Sequence, residues 1–141
     1  MKIEQADTDT ARQACFDIRR AVFIKEQQID EAEEWDAHDA DALHYLAFDD
    51  AGPVGTARVI AKGDSAKIGR VAVLATHRGT GLGARIMQVL MQDAAARGFT
   101  QAELESQVYA IAFYGRLGFV AEGPEYDDGS GIMHRLMRAK L

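Results

Sequence analysis

The stretch from Val71 to Ala94 constrains this chain more than any other. The apolar run Val71-Ala72-Val73-Leu74 reads as a buried strand, and Leu82, Ile86, Val89, Leu90 and Ala94 fall on one stripe of a 3.6-residue period. Between them lies Arg78-Gly79-Thr80-Gly81-Leu82-Gly83, a glycine-rich turn that must lead from strand to helix. Such a turn exposes N–H groups that have no partner inside the helix, and the helix dipole adds positive character at the same place. An anion, most often a phosphate, is its natural ligand. Gly81 and Gly83 let a bulky diphosphate approach the main chain, and Arg78 can add a charged fork of donors.

The spacing narrows the ligand. G-x-G-x-x-G fails because position 86 is Ile, and G-x-x-x-x-G-K-[ST] fails because no Lys-Ser or Lys-Thr follows. What remains is R-x-x-G-x-G, with Arg78, Gly81 and Gly83 in the defined places.

The rest of the chain reads as alternating elements. Lys2 to Gln5 is a short strand, and Thr8 or Thr10 caps a helix through Phe16, Ile18, Val22 and Phe23, broken near Arg19 and Arg20. Leu43 to Phe48, Val54 to Ala61 and Lys67 to Leu74 follow as strands joined by tight turns, and with the opening strand they form an antiparallel meander. After the central helix come a strand (Gln101 to Glu105), a short helix (Ile111 to Leu117) and two strands (Phe119 to Glu122, Ile132 to Arg138). The order β-α-β-β-β-α-β-α-β-β, with three helices, specifies a mixed α/β (α+β) sheet of about seven strands. With 141 residues and no linker or repeat, one domain spanning 1–141 is expected.

Three separated segments together resemble the GNAT (GCN5-related) N-acetyltransferases. The glycine turn is one. Ala110-Ile111-Ala112-Phe113-Tyr114-Gly115-Arg116-Leu117-Gly118-Phe119 is similar to that family's A-x-x-[LF]-Y-x-x-x-G-F. Arg20, Val22-Phe23, Glu26-Gln27, Glu34, Asp36, Asp39 and His44 resemble the R-x-VF-x-x-EQ…E-x-D-x-x-D…H pattern of the ElaA-like subgroup. The resemblance covers nearly the whole chain. It implies a GNAT fold with a V-shaped split in a mostly antiparallel sheet flanked by about four helices, and acetyl-CoA lying in the split as co-substrate.

The resemblance also implies the site. The main chain of Val71, Ala72 and Val73 would meet the pantetheine arm, and the turn Arg78, Gly79, Thr80, Gly81, Leu82, Gly83 and Ala84 the diphosphate. Gln107 stands where many members have Asn, and whether it contacts the cofactor is left open. Tyr114 takes the place of the acid that protonates the departing thiolate, with Tyr109 a weaker rival. For the base, Glu105 is the first choice, and Glu34, Asp36, His44 and His134 are alternatives. His44 and His134 read equally as core histidines, since both alternate with apolar residues.

Asp30 to Asp41 holds seven carboxylates and no Lys or Arg. Two readings stand: a solvated loop, or an acidic mouth in which Glu34, Asp36 and Asp39, with His44 and His134 nearby, attract a cationic amine. On the second, the acceptor is a small, positively charged primary amine or an exposed peptide amine. A module that binds acyl-CoA without chemistry is the alternative from another class. The net charge of −6 argues against a nucleic-acid partner. No apolar run approaches the roughly 18 residues of a membrane span. The single cysteine, Cys15, and the scattered histidines give no metal site. A cytoplasmic location and a homodimer paired through the strand Ile132 to Arg138 complete the expectations.

Overall fold

The computed structural model describes all 141 residues. The elements are β1 (Lys2–Gln5), α1 (Asp9–Arg19), a π-helical continuation (Arg20–Glu26), α2 (Glu31–Glu34), β2 (Leu43–Asp49), β3 (Gly52–Lys62), β4 (Ser65–Val73), α3 (Leu82–Ala96), β5 (Gln101–Gln107), α4 (Ile111–Gly115), β6 (Val120–Asp127) and β7 (Met133–Lys140). Thr8 caps α1 by accepting from the Ala11 N–H. The break expected at Arg19 and Arg20 is a change of winding rather than an end, since the π-helical turns begin there. The acidic segment expected as a loop contains α2 and a 3-10 turn, Ala37–Ala40, each started by an aspartate side chain.

The seven strands form one mixed sheet in the order β1-β2-β3-β4-β5-β7-β6. Every neighbouring pair is antiparallel except β4 and β5, which run parallel. β7 therefore lies inside the sheet, bonded on both sides by β5 and β6. This corrects the expected dimer edge: β7 has no free edge to offer a partner. The edges are β1 and β6.

One face of the sheet packs on α3 through Tyr45, Val59, Ile68, Ile86, Met87, Leu90, Leu104 and Met137, all buried. The other packs on α1 through Cys15, Ile18, Val22, Leu46 and Ala72. A phenol-to-carboxylate bond from Tyr45 to Asp93 ties α3 to β2.

The parallel pair sets up the site. β4 and β5 hold register only from Ser65 and Gln101 to Ile68 and Leu104, then part. On the far side of β4, Thr56 pairs with Ala72 but Arg58 pairs with Gly69, so β4 has an extra residue there. Such a bulge bends the strand that carries it, and here it turns β4 away from β5. Arg70, in the bulge, has φ +52°, a left-handed backbone that a non-glycine residue adopts only when its surroundings hold it there.

Those surroundings are the acidic segment. Arg70 bonds the Glu34 carbonyl through Nη2 (2.9 Å) and the Glu34 carboxylate through Nε (3.1 Å), and reaches Asp36 at 3.4 Å. Arg19 pairs with Glu34 and Asp39, both at 2.8 Å, and Arg58 with Asp36 (2.8 Å) and Asp39 (3.0 Å). Arg19, Glu34 and Arg58 are all buried.

Two outcomes follow. Leu90 is fully buried, so Leu90→Ala should lower the unfolding free energy by about 2–5 kcal/mol in urea titration. Burial alone would raise the pKa of Asp36 and Asp39, but their arginine pairs more than reverse it and hold both below the ordinary value. Such groups lend stability in full above the unfolded value of about 4 and lose it as pH falls through the lower folded one. The urea midpoint should therefore drop steeply below about pH 4, and Asp36→Asn with Asp39→Asn should flatten that drop while lowering stability at pH 7.

Candidate functional site

A cavity of about 900 Å³ opens where β4 and β5 diverge. It runs from the glycine turn, along the unpaired inner edges of the two strands, to the acidic segment and the β6–β7 connection.

At the first end, no side chain caps α3. Its N-terminal N–H groups therefore remain available, as an anion cradle requires. Gly79 (φ +75°) and Gly81 (φ +83°) are left-handed, and a β-carbon on either would meet nothing within 4 Å, so the cradle is open. Gly83 has a different reason from the one expected. A β-carbon there would stand 3.3 Å from Phe113 Cζ, so this glycine lets α4 pack against α3. The turn is braced from below: Thr80 Oγ1 donates to the His77 carbonyl, and His77 Nε2 lies 2.7 Å from Asp49 Oδ2.

Arg78 is placed otherwise than expected. Its Nη1 and Nη2 donate to the Glu26 carboxylate at 2.7 and 2.9 Å, and its Nε donates to the Val73 carbonyl at 2.9 Å. The fork is taken, so the donors facing an oxyanion at this turn are those of the backbone. Val71, Ala72 and Val73 lie on the stretch of β4 that has left β5, and all three line the cavity with Thr80's neighbours Gly79, Gly81, Leu82, Gly83 and Ala84. Gln107 also lines it, and its amide exchanges two hydrogen bonds with Gln27 at 2.9 and 3.2 Å.

Tyr114 projects from α4 into the cavity wall, edge-on to Phe113 (4.9 Å) and Phe119 (6.0 Å). Burial, then the charge of Tyr109, pushes its pKa above the ordinary value, so the phenol keeps its proton at neutral pH. Tyr109 is 78% exposed and sits at the cavity rim. Glu105 is exposed on the cavity side of β5, one residue past the last pair with β4. Across β7, the Tyr126 phenol is held protonated by burial and by the charge and hydrogen bond of Glu105.

The acidic segment does not form the open mouth expected of it. Glu34 and Asp36 reach the cavity wall, but their carboxylates are committed to Arg19, Arg58 and Arg70. Asp39 and His44 are not on the wall. Asp39 is spent on Arg19 and Arg58, and His44 is buried edge-on to Phe16 with Nε2 on the Asp39 carbonyl (2.9 Å). Burial lowers the His44 pKa and keeps the ring neutral. His134 does line the cavity, its Nδ1 2.7 Å from the Ile132 carbonyl and its Nε2 3.3 Å from Asp128.

Further residues on the wall were not anticipated, among them Glu33, Arg58, Lys67, Asp128 and Ser130. Only the first pair had a sequence signal. Glu33 belongs to the acidic block, and Arg58 shares the polar face of its strand with Thr56.

No group of His, Cys, Asp and Glu side chains is arranged to hold a metal ion, and no helix is long and apolar enough to cross a membrane. The family model described as the acetyltransferase (GNAT) family matches residues 11–119. The N-acetyltransferase YjcF of Bacillus subtilis is 34% identical to this chain, over 97% of this chain and 98% of its own length. An acyl-CoA N-acyltransferase from Pseudomonas aeruginosa superposes with a TM-score of 0.85 at 30% identity, covering 98% and 97% of the two chains. Escherichia coli ElaA, at 24% identity and a TM-score of 0.86 over 98% of each chain, shares the fold. The open seven-stranded sheet, the uncapped glycine turn and these likenesses agree, and the chain belongs to the GNAT acetyltransferase family and is an acyltransferase.

Proposed function

We propose that this enzyme moves the acetyl group of acetyl-CoA directly to a primary amine, of a small molecule or an exposed peptide, with both substrates bound together. The observation that carries this reading is the continuity of the cavity. One space joins an open oxyanion cradle at Gly79 to Ala84, a cleft with unpaired strand edges, a protonated phenol at Tyr114 and an exposed carboxylate at Glu105. The backbone N–H groups at the head of α3 hold the diphosphate, and the free edges of Val71, Ala72 and Val73 satisfy the amide groups of the pantetheine arm. Gln107, set by Gln27, faces the same arm.

Each residue then has one proton or one contact to manage. Glu105 takes a proton from the acceptor ammonium, directly or through water. The amine nitrogen bonds to the thioester carbonyl carbon as the C–S bond breaks, Tyr114 gives its proton to the departing sulfur, and the proton that the nitrogen sheds as the amide forms returns through water to the Tyr114 oxygen. Direct transfer fits the position of Cys15, the one thiol, which is fully buried against the far face and does not reach the cavity.

Tyr114→Phe should lower kcat by about 10²–10⁴-fold with little change in acetyl-CoA affinity. Thiol release across a panel of amines measures the first, and calorimetric titration the second. Tight acetyl-CoA binding without transfer to any amine would leave a non-catalytic acyl-CoA-binding module instead.

A further inference from the structure

The sheet face on the acceptor side of the cleft holds a second polar surface that the acetyl-transfer steps do not use. Arg58 on β3 stands directly opposite Gly69 on β4, and Ile60 opposite Lys67, so Arg58, Lys67 and Gly69 share one patch of one face. Arg70 flanks the patch from the bulge, and all four of Arg58, Lys67, Gly69 and Arg70 line the cavity.

Three features make this patch a receptor for an anion. First, Arg58 is only 5% exposed, and both of its ion pairs use Nη1. Its Nε is buried without any hydrogen-bond partner. A buried guanidinium donor left unpaired is costly unless a ligand completes it. Second, a β-carbon on Gly69 would meet nothing within 4 Å, so the floor beside Arg58 is vacant. Third, Lys67 forms no ion pair, although it faces the same space. Arg19, Arg58 and Arg70 are matched in number by Glu34, Asp36 and Asp39, so Lys67 is the one cation of this patch without a carboxylate partner. One unpaired charge suits a carboxylate better than a phosphate dianion.

The place of the patch selects the ligand further. Lys67 stands in register with Glu103 and Ile68 with Leu104, so Gly69 and Glu105 are the next residues of the two strands, at the point where they separate. Adjacent strands lie about 4.8 Å apart before they part. A carboxylate over Gly69 is thus a near neighbour of an amine at Glu105.

We propose that the acceptor is an α-amino acid, its carboxylate seated over Gly69 between Arg58, Lys67 and Arg70 and its amine beside Glu105. This rests on the reading of the site as one that acetylates an amine, and it names the acceptor class. An α-amino acid carries its amine on the carbon next to the carboxylate, so its two charged groups can address neighbouring strands at the point where they part.

The test offers the purified protein free L-amino acids, their α-carboxamides and the corresponding decarboxylated amines, with O-phosphoethanolamine as the phosphate probe. Thiol release from acetyl-CoA and the shift in thermal midpoint are read for each. The free acids should be the substrates, and they alone should raise the midpoint. Lys67→Ala should raise KM for the amino acid at least about tenfold, and leave KM for the amide unchanged. Gly69→Val places its side chain on the floor where a β-carbon has open space, so it should keep the wild-type midpoint and acetyl-CoA affinity while losing the preference for the acid.

Amides or simple amines used as well as the acids would overturn the proposal and leave acetyl transfer standing. So would an unchanged amino-acid KM in a folded Gly69→Val protein, or preference for O-phosphoethanolamine. If acetyl-CoA binds but nothing is acetylated, the thermal shift still decides: equal shifts, or none, with acid and amide count against the carboxylate seat.

Discussion

The cleft depends on the buried exchange of charge between three arginines and three carboxylates. Arg19 comes from α1, Arg58 from β3 and Arg70 from β4, while Glu34, Asp36 and Asp39 come from one short segment. Glu34 is the pivot, since its Oε2 accepts from Arg19 and lies 3.1 Å from Arg70 Nε, and its carbonyl accepts from both Arg19 and Arg70. Without those bonds nothing would hold the left-handed backbone at Arg70, and β4 could regain its pairing with β5. Removing one member of a buried ion pair typically costs about 3–5 kcal/mol, because the other charge is stranded. The network therefore couples an acidic loop to the opening of a sheet on which it does not lie. Phe16 and Trp35 enclose the Arg19 guanidinium, at 5.4 and 4.9 Å from its carbon, and dry the network further.

The π-helical end of the first helix serves the same cleft from the other side. Glu26 and Gln27 are consecutive, yet one reaches Arg78 beyond β4 and the other Gln107 at the end of β5. Glu26 is the last residue of the π-helical turns and Gln27 is the residue that ends them, so the chain leaves the helix between the two contacts. Arg78 earns its position in the glycine motif by this route. It anchors the turn to the first helix and to the Val73 carbonyl.

Much of the fold was legible in the sequence because local signals were strong and agreed. The meander, the glycine turn, the stripe of α3 and the order of elements all follow from periodicity and turn chemistry. The strand order past β5 was not legible. β7 follows β6 in the chain but lies between β5 and β6 in the sheet, and nothing in its alternation distinguishes an inner strand from an edge. The acidic segment misled for a related reason. A run of carboxylates without a local cation looks like a charged surface, yet its arginines arrive from residues 19, 58 and 70, which only the tertiary structure brings together. Gly83 shows the converse: the motif position was right, while the reason for it is the Phe113 ring.

The same separation of partners divides the carboxylates on the cavity wall. Glu34 reaches the cavity, but taking a proton there would sever the contacts to Arg19 and Arg70 that keep the bulge in place. Asp36 is bound in the same way by Arg58 and Arg70. Glu105 has no arginine or lysine pair, is exposed, and is steadied only by the neutral phenol of Tyr126. The chain thus divides its carboxylates by burial: those locked with arginine shape the cleft, and Glu105, exposed where the strands part, is bound into no such pair.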